Sequence, residues 1–188
     1  MFRKESGATA IVRSRASSSV SPLRILGSKG CDLFVNVSCS PFTFNKNHKR
    51  NRLYAQIAAE LKRPLLYVNN VGLQNNGKTV FTFDGSCCIY DGHGHRVGGP
   101  PPFEAGVLEW AVPGGGDTEF GNPLELREDD IRTIYKAIRY GTGKFMELCQ
   151  VTKVTVGVSG GIDSAVVAAI YRDLLPPERL LMVNMPSR

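Results

Sequence analysis

Residues 153–168 read KVTVGVSGGIDSAVVA, an apolar, β-branched run that leads directly into the glycine pair Gly160 and Gly161. Such a run is typical of a buried strand. Residues 163–175 follow with helical spacing, which predicts buried side chains at Ala165, Val166, Ala169 and Ile170. Two prolines end this helix, and residues 180–184 form one more apolar run. The stretch therefore predicts a strand–helix–strand unit of the α/β kind.

The glycine pair suits the binding of an anion. Glycine lets the backbone approach a ligand closely, and a helix start offers free N–H groups and the positive end of a dipole. Ser159 and Ser164 add hydroxyl donors, and Asp163 places a carboxylate where Mg²⁺ would bridge it to phosphate oxygens. The loop has neither the lysine of a Walker A motif nor the spacing of a dinucleotide fingerprint. We therefore expect a phosphate site of another class.

A second strand–helix–strand unit is predicted upstream. Residues 32–38 and 65–69 are apolar runs that indicate parallel strands. Residues 50–61 lie between them with helical spacing, and the expected buried face carries Leu53, Ile57, Ala58 and Leu61.

Turn residues predict further elements between and after these units. Residues 80–83 and 87–90 flank Asp84-Gly85-Ser86, which indicates a β-hairpin. Residues 91–94 form a second turn. Residues 127–150 resume helical spacing, and the sequence predicts a break in that helix at Gly141-Thr142-Gly143.

Composition restricts the class of protein. The 188 residues carry a net charge of +6 and 42% apolar residues, enough for an ordinary core. Residues 1–30 hold six of the 23 basic residues and one of the 17 acidic residues, so the excess charge belongs to an N-terminal tail. This argues against a nucleic-acid-binding face. Five cysteines without metal-ligand spacing favour a reducing compartment, and no apolar stretch is long enough to cross a membrane.

The loop hexapeptide Ser-Gly-Gly-Ile-Asp-Ser resembles the N-type ATP pyrophosphatases. Residues 156–168, the preceding helix and residues 185–188 are similar to NAD synthetase in particular. The resemblance implies that ATP is cleaved between its α- and β-phosphates, with Mg²⁺ held by Asp163. It also implies a set of ATP-binding residues: Gly157, Ser159, Gly160, Gly161, Ile162, Asp163 and Ser164.

Residues 30–54 and 67–92 resemble the C-terminal half of a nitrilase-like glutaminase domain, and Ser40 and Lys46 match glutamine-binding positions of that family. Glutamine-dependent NAD synthetases carry the two domains in this order. The resemblance implies an α/β fold, a partial nitrilase-like layer followed by the first strand–helix–strand unit of an adenine nucleotide alpha hydrolase-like sheet. We expect a tail at residues 1–22, a nitrilase-like domain at 23–110, a linker at 111–126 and a synthetase domain at 127–188.

The implied reaction is the ATP-dependent amidation of deamido-NAD to NAD with ammonia from glutamine. No catalytic residue is assigned, because residues 10–15 read AIVRSR where the family carries its nucleophilic Cys, and no position matches its Lys or Glu. We therefore expect an incomplete chain whose substrates are small molecules: ATP, deamido-NAD, and glutamine or ammonia. We expect it to bind neither nucleic acid nor membrane. A homo-oligomer is one of the possible assemblies. A cytoplasmic location is expected, or a mitochondrial one if the Arg/Ser-rich start is a transit peptide. The alternatives are a non-catalytic nitrilase-like interaction module, a degenerate fragment, and another amide-forming N-type ATP pyrophosphatase.

Overall fold

A computed structural model describes residues 9–12, 22–111 and 130–185, with backbone alone at residues 9–12. The chain divides into two compact units, residues 1–134 and 135–188. Most of the predicted tail and all but the first residue of the predicted linker lie outside the described residues, as do the last three residues of the chain.

The first unit is built on a mixed sheet. Its elements are β1 (Thr9–Val12), α1 (Pro22–Gly27), β2 (Leu33–Ser38), α2 (Lys46–Leu61), β3 (Leu65–Asn69), β4 (Val71–Asn75), β5 (Val80–Asp84), β6 (Cys88–Tyr90) and β7 (Arg96–Gly98). Strands β1, β2 and β3 are parallel neighbours, and β6 and β7 continue the sheet in antiparallel fashion. The predicted parallel strands and the helix between them are therefore confirmed.

Helix α2 and the strands of this sheet form the core of the first unit. Phe34, Leu65 and Tyr90 are completely buried, and Ala58 of the helix belongs to the same buried cluster. The buried face of α2 also carries Asn51, whose side chain accepts a hydrogen bond of 2.5 Å from the Tyr90 hydroxyl. The predicted face was correct at Ile57 and Ala58 and wrong at Leu53, which is 52% exposed. The helix turns Asn51 and Tyr54 inward instead, because the tyrosine-rich sheet supplies a partner for the amide.

The predicted hairpin between residues 80–83 and 87–90 was wrong. Strand β5 pairs with β4 in a separate two-stranded sheet, whereas β6 pairs with β3 and β7. Residues 84–86 carry the chain from one sheet to the other, with left-handed backbone at Gly85 and Ser86 and a hydrogen bond of 2.9 Å from the Gly85 N–H to the Asn70 carbonyl. The predicted turn at residues 91–94 does join β6 to β7.

The second unit contains a parallel pair of strands. The helix α3 (Ile131–Leu148) leads into it, followed by β8 (Val154–Val158), α4 (Ile162–Leu174), a 3-10 turn (Pro177–Arg179) and β9 (Leu180–Asn184). Strands β8 and β9 pair in parallel, with Val154 opposite Leu180 and Val158 opposite Asn184. The predicted strand–helix–strand unit is therefore confirmed.

Two details of the second unit differ from the prediction. Helix α3 runs unbroken through Gly141 and Gly143, and a Cβ at Gly143 would lie 3.1 Å from the Leu174 side chain. Gly143 thus admits the side chain of a neighbouring helix instead of ending its own. On α4, the buried residue is Ala168, whereas Ala165, Val166 and Ala169 are exposed, because a sheet of two strands covers little of the helix.

The described helices include none with the length and apolar character needed to cross a membrane.

Candidate functional site

The loop between β8 and α4 begins where the strand ends, at Val158. Gly160 has a φ of +85°, in the left-handed region, and an added Cβ there would meet no atom within 4 Å. Gly161 has extended backbone and is the N-cap of α4, without a side-chain hydrogen bond to cap the helix. The first hydrogen bond of the helix start runs from the Ala165 N–H to the Gly161 carbonyl at 3.2 Å. The N–H groups of residues 162–164 precede it and therefore have no acceptor within the helix.

Two serine hydroxyls meet at the base of this loop. The Ser159 and Ser164 hydroxyl oxygens are 3.4 Å apart, and the Ser159 N–H donates to the Ser164 hydroxyl at 3.3 Å. Ser164 donates in turn to the Gly161 carbonyl at 2.9 Å. The sequence-predicted pair is thus brought together. The Gly161 carbonyl takes the one hydrogen of the Ser164 hydroxyl, so Ser159 is the hydroxyl that can turn its hydrogen toward a ligand.

Asp163 lies in the first turn of α4 and is exposed, as are Gly160, Gly161 and Ile162. Its carboxylate stabilises the helix start but repels an incoming phosphate. A divalent cation between the two would reverse that repulsion, and Mg²⁺ commonly binds through one or two carboxylates plus substrate phosphates. Within the described residues, no group of three or more His, Cys, Asp or Glu side chains could hold a metal ion by itself.

Gly157 plays a packing role in this loop. A Cβ at that position would lie 2.6 Å from the terminal methyl of Met185, whose N–H donates to the Val158 carbonyl at 3.0 Å. The segment after β9 is thereby kept beside the end of β8. The contact of Gly157 with ATP stays a prediction.

The predicted glutamine-binding residues lie together in the first unit. Asn69 holds the Ser40 backbone on two sides: the Ser40 N–H donates to the amide oxygen at 2.8 Å, and the amide nitrogen donates to the Ser40 carbonyl at 3.0 Å. Lys46 begins α2 and donates from Nζ to the Pro41 carbonyl at 3.2 Å. Ser40 therefore lies in the loop between β2 and α2, and Lys46 lies where that loop enters the helix.

A polar cluster that the sequence reasoning missed surrounds Lys46. Asn47 donates from its amide nitrogen to the Asp84 carboxylate and, at 2.9 Å, to the Ser86 hydroxyl. Arg50 donates to the Asn47 amide oxygen, and its guanidinium carbon lies 4.0 Å from the centre of the Tyr67 ring. The signal in the sequence is Phe-Asp-Gly-Ser at residues 83–86, which belongs to the stretch that resembles a nitrilase-like domain and whose last three residues predict a turn, but which does not indicate a contact with α2.

Burial shapes the acid–base properties of this cluster. Desolvation, followed by the nearby Arg50 charge, lowers the pKa of Lys46 below its ordinary value, and Asp84 opposes this shift. Desolvation also raises the pKa of Tyr67 to about 12, while the Arg50 charge opposes the increase. The cluster therefore holds a lysine that gives up its proton more readily than an exposed one.

Both units of the chain are similar to parts of known proteins. Residues 134–188 match the family model for NAD synthase. A glutamine-dependent NAD(+) synthetase from Synechocystis sp. is 34% identical to this chain over 171 residues, which cover 89% of the chain and 30% of that protein. Over most of its own length the chain is similar to the glutamine-dependent NAD(+) synthetases. A second such synthetase, from Xylella fastidiosa, is 33% identical over 164 residues, covering 85% of this chain and 29% of its own length.

Solved structures agree on the fold. The glutamine-dependent NAD+ synthetase from Acinetobacter baumannii, in complex with adenosine diphosphate, matches 98% of this chain and 34% of its own chain with a TM-score of 0.76 and 24% identity. The synthetase from Cytophaga hutchinsonii matches 92% of this chain with a TM-score of 0.63. This chain spans under a third of the length of the curated synthetases cited above.

Proposed function

We propose that this chain takes part in NAD biosynthesis, with the loop at residues 157–164 binding the phosphates of ATP. The single observation that carries the proposal is the start of α4, where the N–H groups of residues 162–164 have no acceptor within the helix, beside the two serine hydroxyls. An anion at this place would accept several of these hydrogen bonds and meet the positive end of the helix dipole.

The proposed reaction is the synthesis of NAD that the relatives are named for, by the two steps that the family resemblance implies. The carboxylate oxygen of deamido-NAD attacks the α-phosphorus of ATP, and pyrophosphate leaves. Ammonia then attacks the carbonyl carbon of the adenylate, and AMP leaves to give NAD. Negative charge develops on the departing diphosphate, so donors already aimed at it stabilise the transition state more than the ground state. In this proposal the residues of the loop hold the phosphates and take no proton.

Mg²⁺ belongs to the proposal as the cation that Asp163 would hold against the phosphate oxygens. When bound, it would neutralise part of the phosphate charge. The exposed carboxylate at the helix start fits this role, since one protein carboxylate with phosphate oxygens is a common arrangement for magnesium.

Glutamine is the proposed second ligand, bound in the first unit by Ser40 and Lys46. The lysine ammonium would attract the α-carboxylate of the amino acid, and the fixed Ser40 would supply a hydrogen bond.

All five cysteines are free thiols, which fits the reducing environment of the cytoplasm as the proposed location.

Titration calorimetry with ATP and Mg²⁺ tests the loop. A Ser159→Ala, Asp163→Ala double variant should weaken binding at least about tenfold, because the loss of one hydrogen bond to a charged group corresponds to about 1.4 kcal/mol or more. The matched control is Thr152→Ala, Glu178→Ala, which removes one hydroxyl and one carboxylate from exposed positions outside the loop. Equal affinity of the loop variant and the wild type would contradict the assignment.

A second candidate function is a non-catalytic interaction module. The exposed apolar side chains Leu181, Met182 and Val183 of β9 favour it, since surfaces of this kind often mark protein contacts. Formation of a stable complex with a full-length synthetase, without ATP binding by this chain, would favour the module over the enzyme.

A further inference from the structure

The start of α2 lacks the usual means of fixing a helix end. Its N-cap residue, Asn45, has a φ of 58° and makes no side-chain hydrogen bond to the helix. Asparagine normally caps a helix with its side chain from extended backbone. The side chain of Asn47 ties this first turn, which carries Lys46, to the end of β5.

Asp84 is the anchor that the first turn uses. Its carboxylate is almost completely buried, at 1% exposure, and one oxygen accepts hydrogen bonds from Asn47 and, at 2.7 Å, from the Ser86 hydroxyl. The Asp84 carbonyl also accepts from the N–H groups of Ser86 and Phe103, at 2.8 and 2.9 Å. Asp84 ends β5, and hydrogen bonds from the segment that follows the strand fix both its side chain and its carbonyl.

The second carboxylate oxygen of Asp84 is buried and has no hydrogen-bond partner among the described residues. A buried, incompletely hydrogen-bonded carboxylate is unfavourable unless positive charge lies nearby. Lys46 interacts electrostatically with this carboxylate, and Arg50 donates to the same Asn47 that binds it; both lie on the first turns of α2. The carboxylate therefore acts on the lysine by charge, while its hydrogen bonds go to Asn47 and Ser86.

We infer that Asp84 is a positioning residue for the Lys46 ammonium, and that it acts through Asn47. Asn47 follows Lys46 directly in the helix, so the hydrogen bond from its amide to Asp84 fixes the turn on which the ammonium is mounted. The inference rests on the proposed role of Lys46 in glutamine binding. It adds to the site a residue 37 positions away from Asn47 along the chain.

Glutamine titration of the full chain gives the first test. Asp84→Asn and Asn47→Ala should each weaken glutamine binding about tenfold, a typical effect within one hydrogen-bond network. Because Asp84→Asn removes the charge as well as altering the hydrogen bond to Asn47, the double variant should bind about as weakly as Asp84→Asn alone. Asp91→Asn is the matched control: Asp91 is also buried at a strand end, but its hydrogen bonds go to His93 and His95.

Nuclear magnetic resonance of the labelled lysine side chains gives a readout that a merely structural role would not move. The Lys46 signal is assigned by its loss in Lys46→Arg. Asp84 opposes the downward shift of the Lys46 pKa, whereas burial and Arg50 cause it. Asp84→Asn should therefore lower the pKa of Lys46 further, and Asp91→Asn should leave it where it is.

The outcomes separate the two proposals. If the wild type binds glutamine and Asp84→Asn binds it equally well, the positioning role is overturned while the proposed glutamine site stands. Additive losses in the double variant would overturn the route through Asn47. If the wild type binds no glutamine but the lysine pKa responds to Asp84→Asn alone, the glutamine site is overturned and the coupling stands. Asn47→Ala retains the buried charge and tests the link even where Asp84→Asn fails to fold.

Discussion

Gly160 and Gly161 are neighbours with different backbone requirements. Gly160 needs left-handed backbone, at a φ of +85°, whereas Gly161 has a φ of −80° that any residue adopts. A Cβ at Gly161 would meet only the Ser159 hydroxyl, at 3.6 Å. The sequence predicted a glycine turn, but a pair of identical residues gives no sign of which one adopts the positive φ.

Alanine substitution separates the two glycines. Gly160→Ala should lower the free energy of unfolding of the second unit by roughly 1–2 kcal/mol, the approximate penalty of left-handed backbone for a residue with a Cβ. Gly161→Ala should change it by less than about 0.5 kcal/mol, as expected at an exposed site without strain. Urea unfolding followed by circular dichroism measures both. Equal losses would mean that the loop conformation in solution differs from the one described above.

The first unit should lose stability at alkaline pH because of Tyr67. Its pKa in the folded protein is about 12, above the ordinary value of 10.0, because burial disfavours the phenolate. The part of the free energy of unfolding that depends on Tyr67 is fully present below pH 10.0. It is lost as the pH rises toward about 12, since the unfolded chain releases the tyrosine proton first.

Tyr67→Phe should reduce this loss of stability, because phenylalanine has no proton to release. Urea midpoints measured between pH 9 and pH 12 on wild type and variant, with tyrosinate absorbance recorded alongside, provide the measurement. An unchanged pH dependence in Tyr67→Phe would show that another group is responsible; burial also raises the pKa of Tyr54 and Tyr90.

Helices and parallel strands were the elements that the sequence predicted well. Periodicity and apolar runs located β2, α2, β3, β8, α4 and β9, because each element carries an apolar pattern along its own sequence. The pairing of β5 with β4 was not predictable in this way. A turn signal describes local backbone only, and residues 84–86 change sheets through contacts with Asn70 and Phe103, which are distant in sequence.

The C-terminal end of α2 offers a test at the scale of the element. Lys62 caps the helix with left-handed backbone, at a φ of 51°, and its N–H donates to the Ala58 and Ala59 carbonyls. Glycine adopts this conformation without the strain of a Cβ. Lys62→Gly should therefore stabilise the first unit by about 1 kcal/mol.

Gln56→Gly is the matched comparison, because Gln56 is exposed within the same helix. Glycine inside a helix should destabilise it by about 1 kcal/mol. Thermal and urea unfolding of both variants decide the point. A loss of stability in Lys62→Gly would contradict the cap.

On the scale of the whole chain, each proposed site belongs to one unit. Residues 157–164 lie in the second unit, and Ser40, Lys46 and Asp84 lie in the first. The sequence predicted the first of these sites through one continuous motif. It could not predict the link between Asn47 and Asp84, because these residues meet only when β5 lies beside the start of α2.

Ligands should therefore stabilise the two units selectively. Trp110, the one tryptophan of the chain, lies in the first unit, so its fluorescence follows that unit alone. ATP with Mg²⁺ at 100 times its Kd should stabilise the second unit by about 2.7 kcal/mol, which circular dichroism and calorimetry would detect. The unfolding transition of the first unit, followed by the fluorescence of Trp110, should not move. Glutamine should shift the tryptophan transition. A single transition moved by both ligands would contradict this assignment.

The parallel pairing of β8 and β9 also sets the order of events during synthesis. The β4–β5 hairpin closes over a few residues and can form within microseconds of leaving the ribosome. Strand β8 has no such local partner, since Val154 pairs with Leu180 across the whole of α4. At ordinary translation rates the nascent chain therefore carries β8 unpaired for on the order of seconds, the interval in which a chaperone would bind it.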